Sequence, residues 1–169
     1  MAYASYYRYS TQQAPGLFIL KTYRAKDFSF DFPQISPRVC EISYIQEGQL
    51  VETSELGTIR MDAGTVYTHA RDRICRHRSD SPTYHVFEIG LRFQSAGVPM
   101  TDIDVRRWSP TDNQVILPVH ITDPKAASEV GRHVKNAVKA YQSPDRTRYL
   151  TVRAELAEIF RVMTAHAIA

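Results

Sequence analysis

Cysteine is scarce in this chain: Cys40 and Cys75 are the only two among 169 residues, and their separation does not match the CxxC spacing of a zinc or redox motif. No disulfide framework follows from them, and free cysteines of this kind are ordinarily small buried residues. Glycine is sparse as well, with seven, and no glycine-rich run is present to cradle a phosphate. Neither a GxSxG elbow nor an HExxH pair occurs, so nucleotide enzymes and hydrolases have no anchor. Long apolar runs are missing too. A stretch such as Leu17 to Leu20 falls far below the roughly 20 residues that cross a bilayer, and the opening MAYASYYRYS lacks the apolar centre of a signal peptide. Charge of one sign is not concentrated either: 21 Lys and Arg stand against 18 Asp and Glu, a formal net charge of +3. A chain that itself gripped a phosphate backbone would be far more basic. These absences predict a cytoplasmic protein with reduced thiols, no membrane segment and no direct contact with nucleic acid.

What is present is the composition of an ordinary globular protein, 43% hydrophobic and 23% charged, long enough for one domain with a helical appendage. From Leu17 to Phe93 short pieces rich in Val, Ile, Tyr, Phe and Thr alternate with turn signals at Glu47-Gly48, Glu55-Leu56-Gly57, Asp62-Ala63-Gly64 and Asp80-Ser81-Pro82. About eight strands fit this span, the number that closes a small antiparallel barrel or jelly roll. Phe28, Phe30 and Phe32 alternate with Ser29 and Asp31, giving one aromatic face. In the piece from Tyr84 to Phe93, His85 shares a phase with Phe87, Ile89, Leu91 and Phe93, which predicts that this face looks inward.

The stretch from Ala96 to Thr122 has no clear period and reads as loop with one short strand. Asp123-Pro124 then announces a helix, Asp as cap and Pro in the first turn, with Val130, Val134, Val138 and Tyr141 on one face. Ser143-Pro144 repeats the signal before a second stripe of Val152, Leu156, Ile159, Phe160 and Met163. Ala127 to Gly131 has the spacing of a helix-turn-helix turn, but the stripe continues in phase beyond Gly131, so the helix does not turn there. The organisation predicted is an N-terminal arm (1–16), a barrel (17–122) and a helical segment (123–169). The fold class is mainly β with C-terminal helices: a cupin-type β-barrel, or jelly roll, followed by an antiparallel helical pair.

The segment Pro37 to Gly48, followed by Asp62-Ala63-Gly64-Thr65-Val66, resembles the first and second motifs of the cupin barrel, in which a Glu lies seven residues before a turn Gly, as Glu41 does before Gly48. In metal-binding cupins two His in an HxH arrangement precede that Glu. Here those positions fall on Ile35 and Pro37, or on Gln34 and Ser36, and neither pair supplies a ligand. The second-motif position falls near Cys75 to His77. The resemblance therefore implies a barrel without the family's metal, and no cofactor. The order of parts, a Tyr-rich arm, a metal-poor barrel and two helices, is similar to the N-terminal regulatory domain of AraC-type transcription regulators. That likeness implies a small-molecule effector in the barrel and a homodimer through the C-terminal helices. It also implies DNA contact only through a helix-turn-helix unit beyond this chain. The last residues carry no Gly or Pro stop signal, in keeping with a longer protein.

Candidate effector-binding residues, taken by motif or strand phase, are Glu41, Ser43, His69, His77, Tyr84, His85 and Glu88. His69, His77 and His85 come from three different strands, so a metal triad is not expected from their spacing. The basic run of Arg71, Arg73, Arg76, His77 and Arg78 fits a solvated strand edge, or else an anionic effector or an interface with the DNA-binding unit. Tyr3, Tyr6, Tyr7 and Tyr9 make either a frayed terminus or an arm that folds over the effector. Two other functions remain open: a small cupin enzyme, an isomerase or metal-dependent oxygenase, and a dimerisation scaffold with a filled barrel.

Overall fold

The computed structural model describes residues 2–111 and 113–169. Along them run β1 (Tyr6–Ser10), β2 (Gly16–Ala25), β3 (Ser29–Phe32), β4 (Val39–Glu47), β5 (Gln49–Ser54), β6 (Gly57–Asp62), β7 (Val66–His69), β8 (Cys75–Arg78), β9 (Tyr84–Arg92), β10 (Val98–Met100), α1 (Asp102–Arg107), β11 (Gln114–Pro118), β12 (His120–Ile121), α2 (Pro124–Gln142) and α3 (Arg148–Ile168). The eight strands β2 to β9 occupy the span in which about eight were expected. They form two antiparallel sheets, β12-β7-β4-β9-β2 and β3-β8-β5-β6. Without β12 this is the strand order of a jelly roll, reached by folding one long hairpin over itself. The sheets face one another rather than closing into a continuous barrel. The turn at Gly48, between β4 and β5, has φ of +84°, and a Cβ there would lie 2.3 Å from the Thr83 carbonyl oxygen, so only glycine fits.

Two parts of the chain differ from the sequence-based expectation. The segment expected as an arm carries a strand of the body of the fold: β1 sits between β10 and β11 in a third sheet. Its alternation turns Tyr7 and Tyr9 inward, and Tyr9, fully buried, stacks on Phe93 with centroids 4.3 Å apart. In place of one short strand, the 96–122 stretch holds β10, β11 and β12 as well as α1, whose cap Thr101 accepts from the Asp104 amide while the Asp104 carboxylate accepts from the Thr101 amide. This is a capping box with Asp in place of the usual Glu or Gln.

The first long helix begins as expected. The Asp123 side chain accepts from the Ala126 amide at 2.8 Å, and Pro124 occupies the first turn. The second begins later than Ser143-Pro144, because Ser143 to Thr147 form a turn held by the Thr147 amide donating to Asp145 Oδ1 at 2.8 Å. Most of the two apolar stripes, part of which a dimer was expected to use, is buried within the chain: Val130, Val134, Val138, Ile159 and Met163 are fully buried, and Leu156 nearly so. They close α2 on α3 and pack the pair against the sheets. Phe160 lies 6.1 Å from Phe93, and Thr164 Oγ1 both accepts from the Ile116 amide and donates to its carbonyl. Tyr141, Tyr149 and Leu150 stay exposed at the hairpin end of these helices. No helix among the described residues is long and apolar enough to cross a membrane.

Candidate functional site

Between the two jelly-roll sheets lies a cavity of about 440 Å³. Its apolar wall comes from β2, β3, the turn between them and the start of β9: Tyr23, Phe28 and Tyr84 cluster with centroids 4.8 to 6.2 Å apart, and Phe30 and Phe32 add a second pair at 4.8 Å. The aromatic alternation at 28–32 therefore lines the space. Most of its polar groups come from β4, β7 and β9. Glu41 and Ser43, two apart on β4, share a face by strand periodicity, and Ser43 stands opposite Glu88 of β9 in register.

Six of the seven residues singled out from sequence, Glu41, Ser43, His69, His77, Tyr84 and Glu88, line this cavity. His85 does not. It lies on the other face of β9, where Nε2 pairs with Thr22 Oγ1 at 2.9 Å and the ring packs on Phe87. Both faces of β9 are covered, one by the opposite sheet and one by α2, so the apolar phase that selected His85 marks the helix side. Lys21, Tyr23 and Phe18 are cavity groups that sequence reasoning did not assign, while Arg71 entered only through the anionic-effector reading of the basic run.

The charged groups are unevenly satisfied. Glu41 receives His69 Nδ1 and Arg71 Nη1, each at 3.3 Å. Burial works against its ionisation, yet the His69 hydrogen bond and the neighbouring cations hold its carboxyl below the usual range. His69 itself is held neutral chiefly by burial. Glu88 has only distant partners, Tyr23 at 3.3 Å, Ser43 at 3.4 Å and Lys21 at 3.8 Å. Burial, with Lys21 opposing and Glu41 reinforcing, raises its carboxyl above the usual range. Arg71 adopts φ of +55°, its guanidinium lies over Phe32 at 4.6 Å, and its buried Nε has no protein partner. A non-glycine residue in that region costs on the order of 1 kcal/mol or more, and such outliers gather at binding sites.

Behind the cavity is a fully buried network that the sequence did not reveal. Glu52 of β5 accepts from Arg73 Nε at 2.7 Å, from His77 Nε2 at 2.8 Å and from the Tyr67 hydroxyl. Burial opposes its charge, but the His77 hydrogen bond and the charge of Arg73 bring the carboxyl down to about 2. Tyr3 covers the outside of Arg73, with the guanidinium 4.8 Å from its ring. The basic run thus divides. Arg73 is buried in the network and Arg71 faces the cavity, while Arg76 pairs with Asp31 and Arg78 with Asp80 at the surface. Cys40 and Cys75 are both free and buried.

The chain matches no family model and no curated protein. Solved structures do resemble it. Apo ToxT K231A from Vibrio cholerae superposes with a TM-score of 0.52 at 10% identity, over 98% of this chain and 58% of that one. The same architecture, jelly roll and helical pair together, is thus present in that protein. This chain spans a little over half of ToxT. Another ToxT structure, with an unsaturated fatty acid bound, gives 0.44 at 12% identity over 86% of this chain and 53% of that one. A cupin domain of an XRE-family transcriptional regulator from Enterobacter cloacae gives 0.36 at 13% identity, over 45% of this chain and 83% of that one. At these identities the likeness is one of fold.

The cavity itself has the attributes of a binding site: a mostly aromatic wall, a few convergent polar groups and a volume within the ordinary range for small molecules.

Proposed function

We propose that this chain is the effector-binding domain of an AraC-type transcription regulator, and that the effector is a small organic molecule with an apolar body and a polar end. One observation carries the reading: the cavity between the sheets brings Arg71 and Glu88, each incompletely satisfied, against an aromatic wall. Buried polar groups left unpaired cost about 1–3 kcal/mol each, which a ligand supplying the missing partner recovers. The fold shared with ToxT supports the reading, and that protein has been crystallised with an unsaturated fatty acid.

In this reading the domain senses an effector and catalyses no reaction, it works in the cytoplasm, and DNA is contacted by a separate unit. Two copies associate through the helical pair. The exposed Tyr141, Tyr149 and Leu150 are the surface for that contact, since most of the other stripe residues are buried within the chain. The test is a melting screen of small apolar acids, alcohols and amines on the purified domain, with any hit followed by calorimetry. One molecule per chain, bound at least ten-fold more weakly by Arg71→Gln, is expected. A screen without saturable binding, or a hit indifferent to Arg71→Gln, contradicts the proposal.

A further inference from the structure

We infer that Glu52, His69, Cys75 and His77 form a closed site for a zinc-type transition-metal ion that fastens the two jelly-roll sheets together. One donor atom from each lies within 4.8 Å of all the others, and all four residues are buried. Register explains how three of them meet: on the β5-β8 ladder Glu52 stands opposite His77, and Cys75 follows the same face two residues away. His69 arrives from β7 in the facing sheet. An ion here would tie one sheet to the other.

Three features favour an ion over a mere polar cluster. The Cys75 Sγ to His69 Nε2 distance is 3.5 Å, and a tetrahedral zinc with one sulfur and one nitrogen ligand sets that edge at about 3.5 Å. The other nitrogen of His69, Nδ1, is turned to the Glu41 carboxylate at 3.3 Å. That is the outer contact by which ligating histidines are oriented with the free nitrogen toward the metal. The donor set, one thiol, two imidazoles and one carboxylate, suits Zn²⁺ or Co²⁺ better than Mg²⁺ or Ca²⁺. Four protein donors leave no open position, the arrangement of a structural rather than a catalytic zinc.

Accommodation draws the four donors, now within 4.8 Å of one another, onto the edges of one tetrahedron. His77 Nε2 now lies 2.8 Å from Glu52 Oε2, closer than the roughly 3.3 Å between nitrogen and oxygen ligands of one tetrahedral zinc, so the ring must draw back about half an ångström. Arg73 and Tyr67 hold the Glu52 carboxylate from behind. Binding displaces two protons, that of the Cys75 thiol, which leaves to solvent as the thiolate binds, and the Nε2 proton that His77 now shares with Glu52, which leaves to solvent or passes to Nδ1. The set differs from the cupin first motif, whose histidine positions are not histidine here, and the inference does not depend on the cavity's holding an effector.

The test uses untagged protein stripped with a chelator and titrated with Co²⁺, then Zn²⁺. One equivalent of Co²⁺ should give the visible bands of a tetrahedral ion and a near-ultraviolet thiolate charge-transfer band, both abolished by Zn²⁺. Zn²⁺ should also raise the melting temperature. Cys75→Ser should lose the charge-transfer band and bind Zn²⁺ at least ten-fold more weakly, while Cys40→Ser keeps both properties. Glu41→Gln, which among the four donors touches only His69, should weaken binding by about 10- to 100-fold. A charge-transfer band that survives Cys75→Ser overturns the proposal. If that variant does not fold, the wild type decides alone: no charge-transfer band or no saturation at one equivalent overturns the inference.

Discussion

Gly131 sits in the middle of α2, where an exposed glycine would weaken the helix by about 1 kcal/mol relative to alanine. Its reason lies on the facing sheet. A Cβ at this position would come within 2.5 Å of the Tyr44 ring carbons Cδ2 and Cε2, against the 3.5–4.0 Å of ordinary carbon contact. The ring is also held from another side by Lys135, whose ammonium lies 5.1 Å from its centroid. Gly131→Ala therefore gains about 1 kcal/mol of helix propensity and pays an overpacking cost of about 1–3 kcal/mol. The expected net loss is about 1 kcal/mol, or roughly 2–4 °C for a domain of this size. In a Tyr44→Ala background the clash is gone, and the same change should stabilise by about 1 kcal/mol. Urea unfolding of the four proteins in the cycle measures both numbers and their coupling. If Gly131→Ala stabilises the wild type, or has the same sign in both backgrounds, close packing of α2 on Tyr44 is not why glycine stands there.

Tyr9→Ala should cost about 3–5 kcal/mol in the same urea assay, because it removes a buried aromatic ring from the core; a loss below 1 kcal/mol would return β1 to the status of an arm. Leu156→Glu should unfold or strongly destabilise the monomer as judged by circular dichroism, since it buries a charge between α2 and the sheets; a folded protein altered only in light scattering would restore the stripe as a dimer surface. Glu88 has a raised carboxyl pKa in the folded state, so its charged form opposes folding, and stability is lost as pH rises through that value. Glu88→Gln should accordingly melt higher than wild type at neutral pH, with the advantage fading as the pH falls below the usual carboxylate range; a constant difference across that window would show that the charge is not the cause.

Much of the architecture was legible in local signals. Turn glycines and period-two alternation marked the eight strands of the jelly roll, and Asp123-Pro124 marked the start of α2 to the residue. Failures came where meaning depended on what a face packs against. The apolar phase of β9 is real, but α2 covers that face, so His85 points away from the cavity while Tyr84 and Glu88, in the opposite phase, point into it. The helix stripes are real too, and the sheets use them. Glu52 was invisible because its partners Tyr67, Arg73 and His77 are 15 to 25 residues away in sequence, and only strand pairing brings them together. The capping box at Thr101 was in the sequence, yet with Asp at its third helical position it did not match the usual signature.

The central claim is that the space between the sheets holds a ligand. Its most direct measurement is the thermal shift produced by one screening hit on three proteins: wild type, Ser43→Leu, which fills the cavity, and His85→Phe, which alters the far face of the same sheet. At a hundred-fold excess over Kd the hit should stabilise the wild type by about 2.7 kcal/mol, a rise of roughly 5–10 °C at this chain length. The account predicts the same rise for His85→Phe and little or none for a folded Ser43→Leu. An undiminished rise in Ser43→Leu, or one lost only in His85→Phe, would contradict it.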